Sequence, residues 1–290
     1  MFRRKKDPEP NGLARMAADE DMQTEAQSLE RAVESLAIGS ATSDSAGPHA
    51  VGAERAPPRE AEHVPLNWQR GHGGHQSNAA TLRLFREAGG SEAIRRFTTL
   101  FYLRAFADPV IDQFIREHED PHGERFANWI AEKFGDGTPW TEERATRRTC
   151  PFQVHGYQIQ TPHDRSSAHF AAWHSPKREP EKFGQHFKLD DCRIWMRLHF
   201  WAMREAGIIK ASPSFAEYYV KFIAHFVSVY ERTAPPFARE SLRWSANPAN
   251  IERYVAEGNR MPDVVGVSFR DAAAQLPTDE RDSRGNWPYC

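Results

Sequence analysis

Asp190-Asp-Cys-Arg-Ile-Trp-Met-Arg-Leu-His-Phe-Trp-Ala-Met-Arg-Glu205 reads as one helix. Asp190 can cap its start, because a short carboxylate side chain accepts a hydrogen bond from a free backbone N–H. Gly207 can end it, because glycine enters the left-handed conformation with little strain. Cys192, Trp195, Met196, His199 and Met203 recur at helical spacing and mark one apolar stripe. The stripe carries a tryptophan and a histidine on one buried face. A second histidine lies just upstream, in Ala172-Trp-His-Ser-Pro176. His174 and His199 are therefore both candidates to ligate something held against this helix. Asp190-Asp191 needs no catalytic role, since carboxylates favour helix starts.

Outward from this helix the chain divides by composition. It has 290 residues and a formal net charge of −2, so no strongly charged partner is implied, and no basic stripe suggests nucleic acid. Only 39% of residues are hydrophobic and the mean hydropathy is −0.71, low for a chain globular throughout. Nearly all of the 18 Phe and 8 Trp fall after residue 80, so a core can form there. Residues 1–76 are rich in Ala, Glu, Ser, Arg, Pro and Gly and read as a disordered leader; Leu29, Val33 and Leu36 hint at one short amphipathic helix. His72 and His75 bracket Gly73-Gly74 in what reads as a flexible polar loop.

A folded region spans residues 77–258, with an irregular tail over 259–290. Helices are expected over 79–88, 92–107, a short turn from Pro109 through Ile115, 122–134, 166–174, the Trp195 helix, 212–232 and 248–256. Residues 138–188 form a long polar connection, in which His155, His163, His169 and His186 read as solvated. Nothing alternates convincingly as a strand, so the class is all-α.

Cys150, Cys192 and Cys290 are odd in number and lack paired spacing; neither a disulfide framework nor a zinc site is suggested, which fits a reducing, cytoplasmic setting. Met-Phe-Arg-Arg-Lys-Lys6 has no apolar segment behind it and does not read as a secretory signal. No apolar run approaches the roughly 18 residues of a membrane span. No phosphate-cradling glycine loop and no nucleophile-elbow motif occurs.

Four segments in order resemble the truncated, two-over-two hemoglobins. Phe101-Tyr-Leu-Arg-Ala-Phe-Ala-Asp-Pro109 is similar to the second helix and its Asp-Pro break, Phe126-Ala-Asn-Trp-Ile-Ala-Glu-Lys-Phe-Gly-Asp-Gly137 to the distal helix, His174-Ser-Pro176 to the proximal segment, and Trp195-Met-Arg-Leu198 to the next helix in the second group of that family. The resemblance covers roughly residues 80–232 and implies a globin-like helical sandwich around heme b. It implies His174 as the iron ligand, since the family's proximal histidine precedes the pocket tryptophan; His199 then becomes a core or pocket-edge residue. It implies Tyr102 and Trp195 as distal hydrogen-bond donors to bound oxygen. Phe114 or Ile115 takes the place of a pocket aromatic, His122 lies near the start of the distal helix, Phe126 and Trp129 face the heme, and Tyr218, with Tyr219 as rival, reaches in from the long helix.

A ligating imidazole should donate its other nitrogen to a nearby backbone carbonyl. The implied activity is binding of dioxygen or other diatomic ligands in sensing or detoxification, or redox chemistry on them such as nitric oxide dioxygenation or peroxide reduction. The leader could hold a protein partner. The alternative is a heme-free helical interaction module of globin-like shape.

Overall fold

A computed structural model gives the fold. The structure describes residues 61–69, 74–147, 150–154, 157–161 and 165–278, with only the backbone course for 69, 150–154, 157–161 and 165–167. All belong to one compact unit, Pro58–Cys290. Leu29, Val33, Leu36, His72, His155, His163 and the leader up to residue 60 lie outside the described residues.

The described residues are mainly helical. A short antiparallel ladder, β1 (Trp68–Gln69) and β2 (Gly74–His75), precedes α1 (Ala79–Glu87), α2 (Gly90–Ala107), a 3-10 turn at Asp112–Phe114, α3 (His122–Phe134) and α4 (Pro139–Thr146). Then come an antiparallel hairpin, β3 (Cys150–Val154) and β4 (Tyr157–Thr161), followed by α5 (Arg165–Trp173) and a 3-10 turn at Pro180–Lys182. The chain continues through α6 (Leu189–Glu205), α7 (Ile208–Ala211), α8 (Pro213–Ser228), α9 (Phe237–Trp244), α10 (Pro248–Ala256) and α11 (Phe269–Ala274). Helix α2 packs against both α3 and α6, and α9 packs against α6 and α8.

Local chemistry explains the boundaries. Asn78 and Thr81 cap α1 reciprocally: each side chain accepts the other's backbone N–H, at 3.0 and 2.8 Å. After α2, Asp108 Oδ1 accepts the N–H groups of Val110 and Ile111, both at 2.9 Å, which turns the chain at Pro109. Ser212 Oγ accepts the Phe215 N–H and Pro213 fills the first turn of α8. Gly207, at φ 81°, ends α6 as expected. Asp190 does not cap α6: the helix starts one residue earlier, Asp191 accepts the Lys188 N–H at 2.7 Å, and Asp190 instead accepts the N–H of Gly266 at 2.7 Å.

Four other expectations change. First, α6 is not a one-stripe helix, because Arg193, Ile194, Arg197, Leu198, Phe200 and Ala202 are buried as well. The cause is α9 and the segment after α10, which cover its second face. Arg197 joins them, with Nη2 on Glu240 at 2.6 Å and Nη1 on Asp263 at 2.7 Å. Second, the region past 259 is not uniformly irregular: Met261, Val264, Ala272 and Leu276 are buried. Third, the polar connection holds α4 and the β3–β4 hairpin. The residues of β4 do alternate, Tyr157, Ile159 and Thr161 against two glutamines, but Pro151 and the polar flanks mask the pattern.

Fourth, packing begins by Val64, well ahead of Ala79. Asn67 accepts from and donates to Gln76 at 2.9 and 2.8 Å, Glu62 N–H donates to Ser214 Oγ at 2.9 Å, and His75 is buried. His75 is therefore no flexible loop residue. None of the helices among the described residues is long and apolar enough to cross a membrane.

Asp108 also ties the C-terminal helices to α2, because the Tyr254 hydroxyl donates to its Oδ2 at 3.0 Å, with both residues buried. Burial pushes the Asp108 carboxyl up, against three hydrogen bonds that pull it down. Tyr254→Phe is expected to cost about 1.5–3 kcal/mol, the range for a hydrogen bond to a charged group. Val255→Ala, next to it but exposed, should cost less than about 0.5 kcal/mol. Urea unfolding midpoints compare the two, and equal shifts would deny the bond its role.

Candidate functional site

Helices α2, α3 and α6 build one aromatic group. Phe101 turns into the core while Tyr102, one residue on, lies at its edge and stacks on His122 with ring centroids 5.2 Å apart. Phe126 on α3 meets both Tyr102 and Trp195, at 6.5 and 6.2 Å, and Trp195 lies 5.4 Å from Phe101. The structure thus brings Tyr102, His122, Phe126 and Trp195 together. Trp129 is buried beside Phe126, between it and Phe222 and Phe226 of α8.

The polar atoms of this group are more telling. Neither the Tyr102 hydroxyl nor the Trp195 indole N–H has a hydrogen-bond partner among the described residues. Burial pushes the Tyr102 phenol up, so it stays protonated and able to donate. His122 donates from Nε2 to the Glu117 carbonyl at 2.8 Å, and burial lowers its pKa. It is half-buried against Tyr102 rather than a surface residue.

His199 belongs to the interior of the same group. It is fully buried, stacked on Trp195 at 4.3 Å and parallel to Tyr219 at 5.5 Å, with Nε2 3.0 Å from the Tyr219 hydroxyl. Its Nδ1 is buried without a partner, and desolvation holds the ring neutral. Ligation through Nε2 would break the Tyr219 bond. Tyr218 does not approach this group: its hydroxyl lies 2.5 Å from His75 Nε2, and its ring packs on Phe134. Tyr219 is the one that joins the aromatic group. The two tyrosines are neighbours on α8, about 100° apart around the helix, so their paths diverge.

His174, at the end of α5, sits in a second group. Its Nδ1 donates to the Phe170 carbonyl at 2.8 Å, which leaves the lone pair on Nε2. Nε2 has no partner among the described residues. Phe170 and Phe183 flank the ring at 4.1 and 5.1 Å. Phe114 faces this side, against Phe187 at 4.9 Å and under the Arg178 guanidinium at 4.5 Å, whereas Ile115 enters the core. His169 is half-buried and lies 2.5 Å from the Tyr230 hydroxyl, so it is not a solvated loop residue. His186 is exposed but stacks on Trp173 at 3.9 Å.

No ring of the Tyr102–Trp195–His199 group touches a ring of the His174–Trp173–Phe187 group among the described residues. A polar bridge spans them instead. Lys177 Nζ lies 2.9 Å from Asp112 Oδ1 and 3.1 Å from His118 Nε2, and His118 stacks on Phe106 at 4.3 Å. Asp112, His118, Lys177, Arg178 and Gly184 were not picked out by motif; their roles arise only when the turn after α5 folds back.

Among the described residues no three His, Cys, Asp or Glu side chains gather as a metal cluster. His174 and His122 each have one ring nitrogen fixed by a backbone carbonyl and the other without a hydrogen-bond partner among the described residues. Gly184 lies next to the His174 Nε2, however: a Cβ there would stand 3.3 Å from it. No family model matches the chain, and no curated protein or solved structure is significantly similar to it.

The buried histidines predict acid sensitivity. Burial lowers His75 to about 4, with Lys133 and His225 adding to the shift, and it lowers His122 and His199 as well. These groups take up protons less readily in the fold than in the unfolded chain, which does so below the ordinary histidine pKa, about 6.5. Stability therefore falls as pH drops through about 6.5, and the His75 contribution keeps falling to about 4. Between about pH 7 and pH 5, His75→Gln should lose less stability than the wild type, measured by urea unfolding. Equal losses would remove His75 from the effect.

Proposed function

We propose that this chain is a heme protein of the two-over-two globin type, closest to the second group, that binds dioxygen or another diatomic ligand. The observation that carries the reading is the state of His174: Nδ1 is fixed on the Phe170 carbonyl, and Nε2 keeps its lone pair without a hydrogen-bond partner among the described residues. A ring fixed in this way could hold a metal group through Nε2, which favours His174 over His199, whose Nε2 faces Tyr219.

Heme b, when bound, would supply the affinity for diatomic ligands and their redox chemistry. This chain's residues would do the rest. His174 would hold the group from one side. The Tyr102 hydroxyl and the Trp195 N–H, without partners among the described residues, would donate to a small polar ligand. Phe101, Phe126 and Trp129 would keep water out. A donor-lined pocket releases a polar ligand slowly, so the reading favours sensing or detoxification over transport. Cys192 is an unpaired thiol, in keeping with a cytoplasmic setting. The rival reading is a heme-free helical interaction module, and the place of Gly184 next to Nε2 speaks for it.

Hemin titration followed by absorption decides between the two. The wild type and His199→Ala should take up hemin saturably and give a sharp Soret band, with the band lost or much altered in His174→Ala. Loss in His199→Ala alone would keep heme and move the ligand. No saturable uptake by the wild type would leave the interaction module.

A further inference from the structure

A strap of chain docks on α8 ahead of α1. Glu62 N–H donates to Ser214 Oγ at 2.9 Å, and Asn67 N–H reaches the Tyr218 hydroxyl at 3.5 Å. Lys221 Nζ lies 3.3 Å from His63 Nδ1, and the Trp68 ring meets that of His225 edge-on at 4.2 Å. Ser214, Tyr218, Lys221 and His225 recur every three or four residues, so all these contacts fall on one face of α8. His75 closes the strap, with Nε2 2.5 Å from the same Tyr218 hydroxyl. Gly74 permits this path: its φ is 105°, and a Cβ there would overlap the Trp68 ring at 2.6 Å.

The docked His75 has no acceptor for a second proton. Its Nδ1 is buried without a hydrogen-bond partner among the described residues, and its Nε2 is taken up by Tyr218. The rings of Phe134 and Phe222 enclose it at 6.0 and 4.9 Å. The titratable groups that face it are Lys133 on α3 and Tyr218 and His225 on α8, and none of them is a carboxylate. A proton on His75 would therefore place an uncompensated cation in a dry interior, beside further positive charge. His63, at the exposed end of the strap, acts in the same direction. A proton on its Nδ1 would set two cations against each other at Lys221, while the nearby Glu217 is held by Arg239.

The ties that hold the helices together lie elsewhere. The Asp108–Tyr254 bond joins α2 to α10, and Arg197 joins α6 to Glu240 and Asp263. Undocking the strap breaks none of them. The β1–β2 ladder is two short strands, too little to persist in water by itself.

We propose that this segment is an acid-released strap: neutral His75 holds it on the Ser214–His225 face of α8, and a proton on His75 frees it while the helices stay packed. Burial holds His75 at about 4 when docked, against an ordinary value of about 6.5 when free. The ratio of docked to released strap therefore falls about twentyfold between pH 7 and pH 5, and it levels off below about pH 4. The device needs no cofactor and stands apart from the heme reading.

Amide hydrogen exchange on the full-length wild type and His75→Gln at pH 7 and pH 5, with each rate corrected for its intrinsic pH dependence, tests this. The Gln76 amide, which donates to the Asn67 carbonyl at 2.9 Å, reports on the strap, and the amides of α6 report on the core. In the wild type the Gln76 protection factor should fall about twentyfold from pH 7 to pH 5 and stay below that of α6 at both. In His75→Gln, whose amide keeps a hydrogen bond to Tyr218 but takes up no proton, it should fall by about threefold or less, the remainder coming from His63. In the wild type alone, no fall at Gln76, or one protection factor shared by Gln76 and α6 at pH 5, would overturn the proposal, since the strap would then leave only when the whole fold does. An equal fall in the wild type and His75→Gln would overturn it as well, because His75 would not be the trigger.

Discussion

Helix α6 carries Arg197 among its buried residues, and burying it dictates what surrounds that face. An arginine taken from water needs carboxylates and carbonyls arranged around it. Arg197 finds Glu240 on α9 and Asp263 beyond α10, so the C-terminal segment is required to complete the core. With that face sealed, the opposite face is free to carry Trp195 and His199 against the rings of α2, α3 and α8. The site is thus what remains when α6 has been covered everywhere else.

The same dry interior sets the protonation of the candidate site. His199 and Tyr219 share a hydrogen bond and both are fully buried, so both stay neutral. Tyr102 and Trp195, at the edge of that interior, find no hydrogen-bond partner among the described residues. His174 is held differently, at a helix end with its ring set by a backbone carbonyl from the preceding turn. Lys177, Asp112 and His118 tie the turn that follows His174 to the edge of the Tyr102 group.

Much of the helical frame could be read from residues whose preference is local. The α1 and α3 spans follow their end signals closely, and α8 starts where Ser212-Pro213 places it. Other features depend on partners far away in sequence. Periodicity could not choose between Tyr218 and Tyr219, because α8 is buried around most of its circumference and both tyrosines are inside. His75 looked like part of a loose glycine-rich loop because its fixing partner, Tyr218, lies 143 residues on. The α9 helix hid behind Pro235-Pro236, and the β3–β4 hairpin behind Pro151 and its glutamines. Arg178 and Gly184 carry no motif; only the closure of the turn gives them meaning. Tyr102, Trp195 and His174 were singled out by the order of four resembling segments, and the structure adds the hydrogen-bonding state of each.

The central claim is that the two aromatic groups are separate walls of one binding site. A crystal structure of the protein grown with hemin tests it most directly. The account predicts a planar group with its metal on His174 Nε2 and with Tyr102 and Trp195 close to it. Metal on His199, or hemin on the outer surface away from His174, would contradict it.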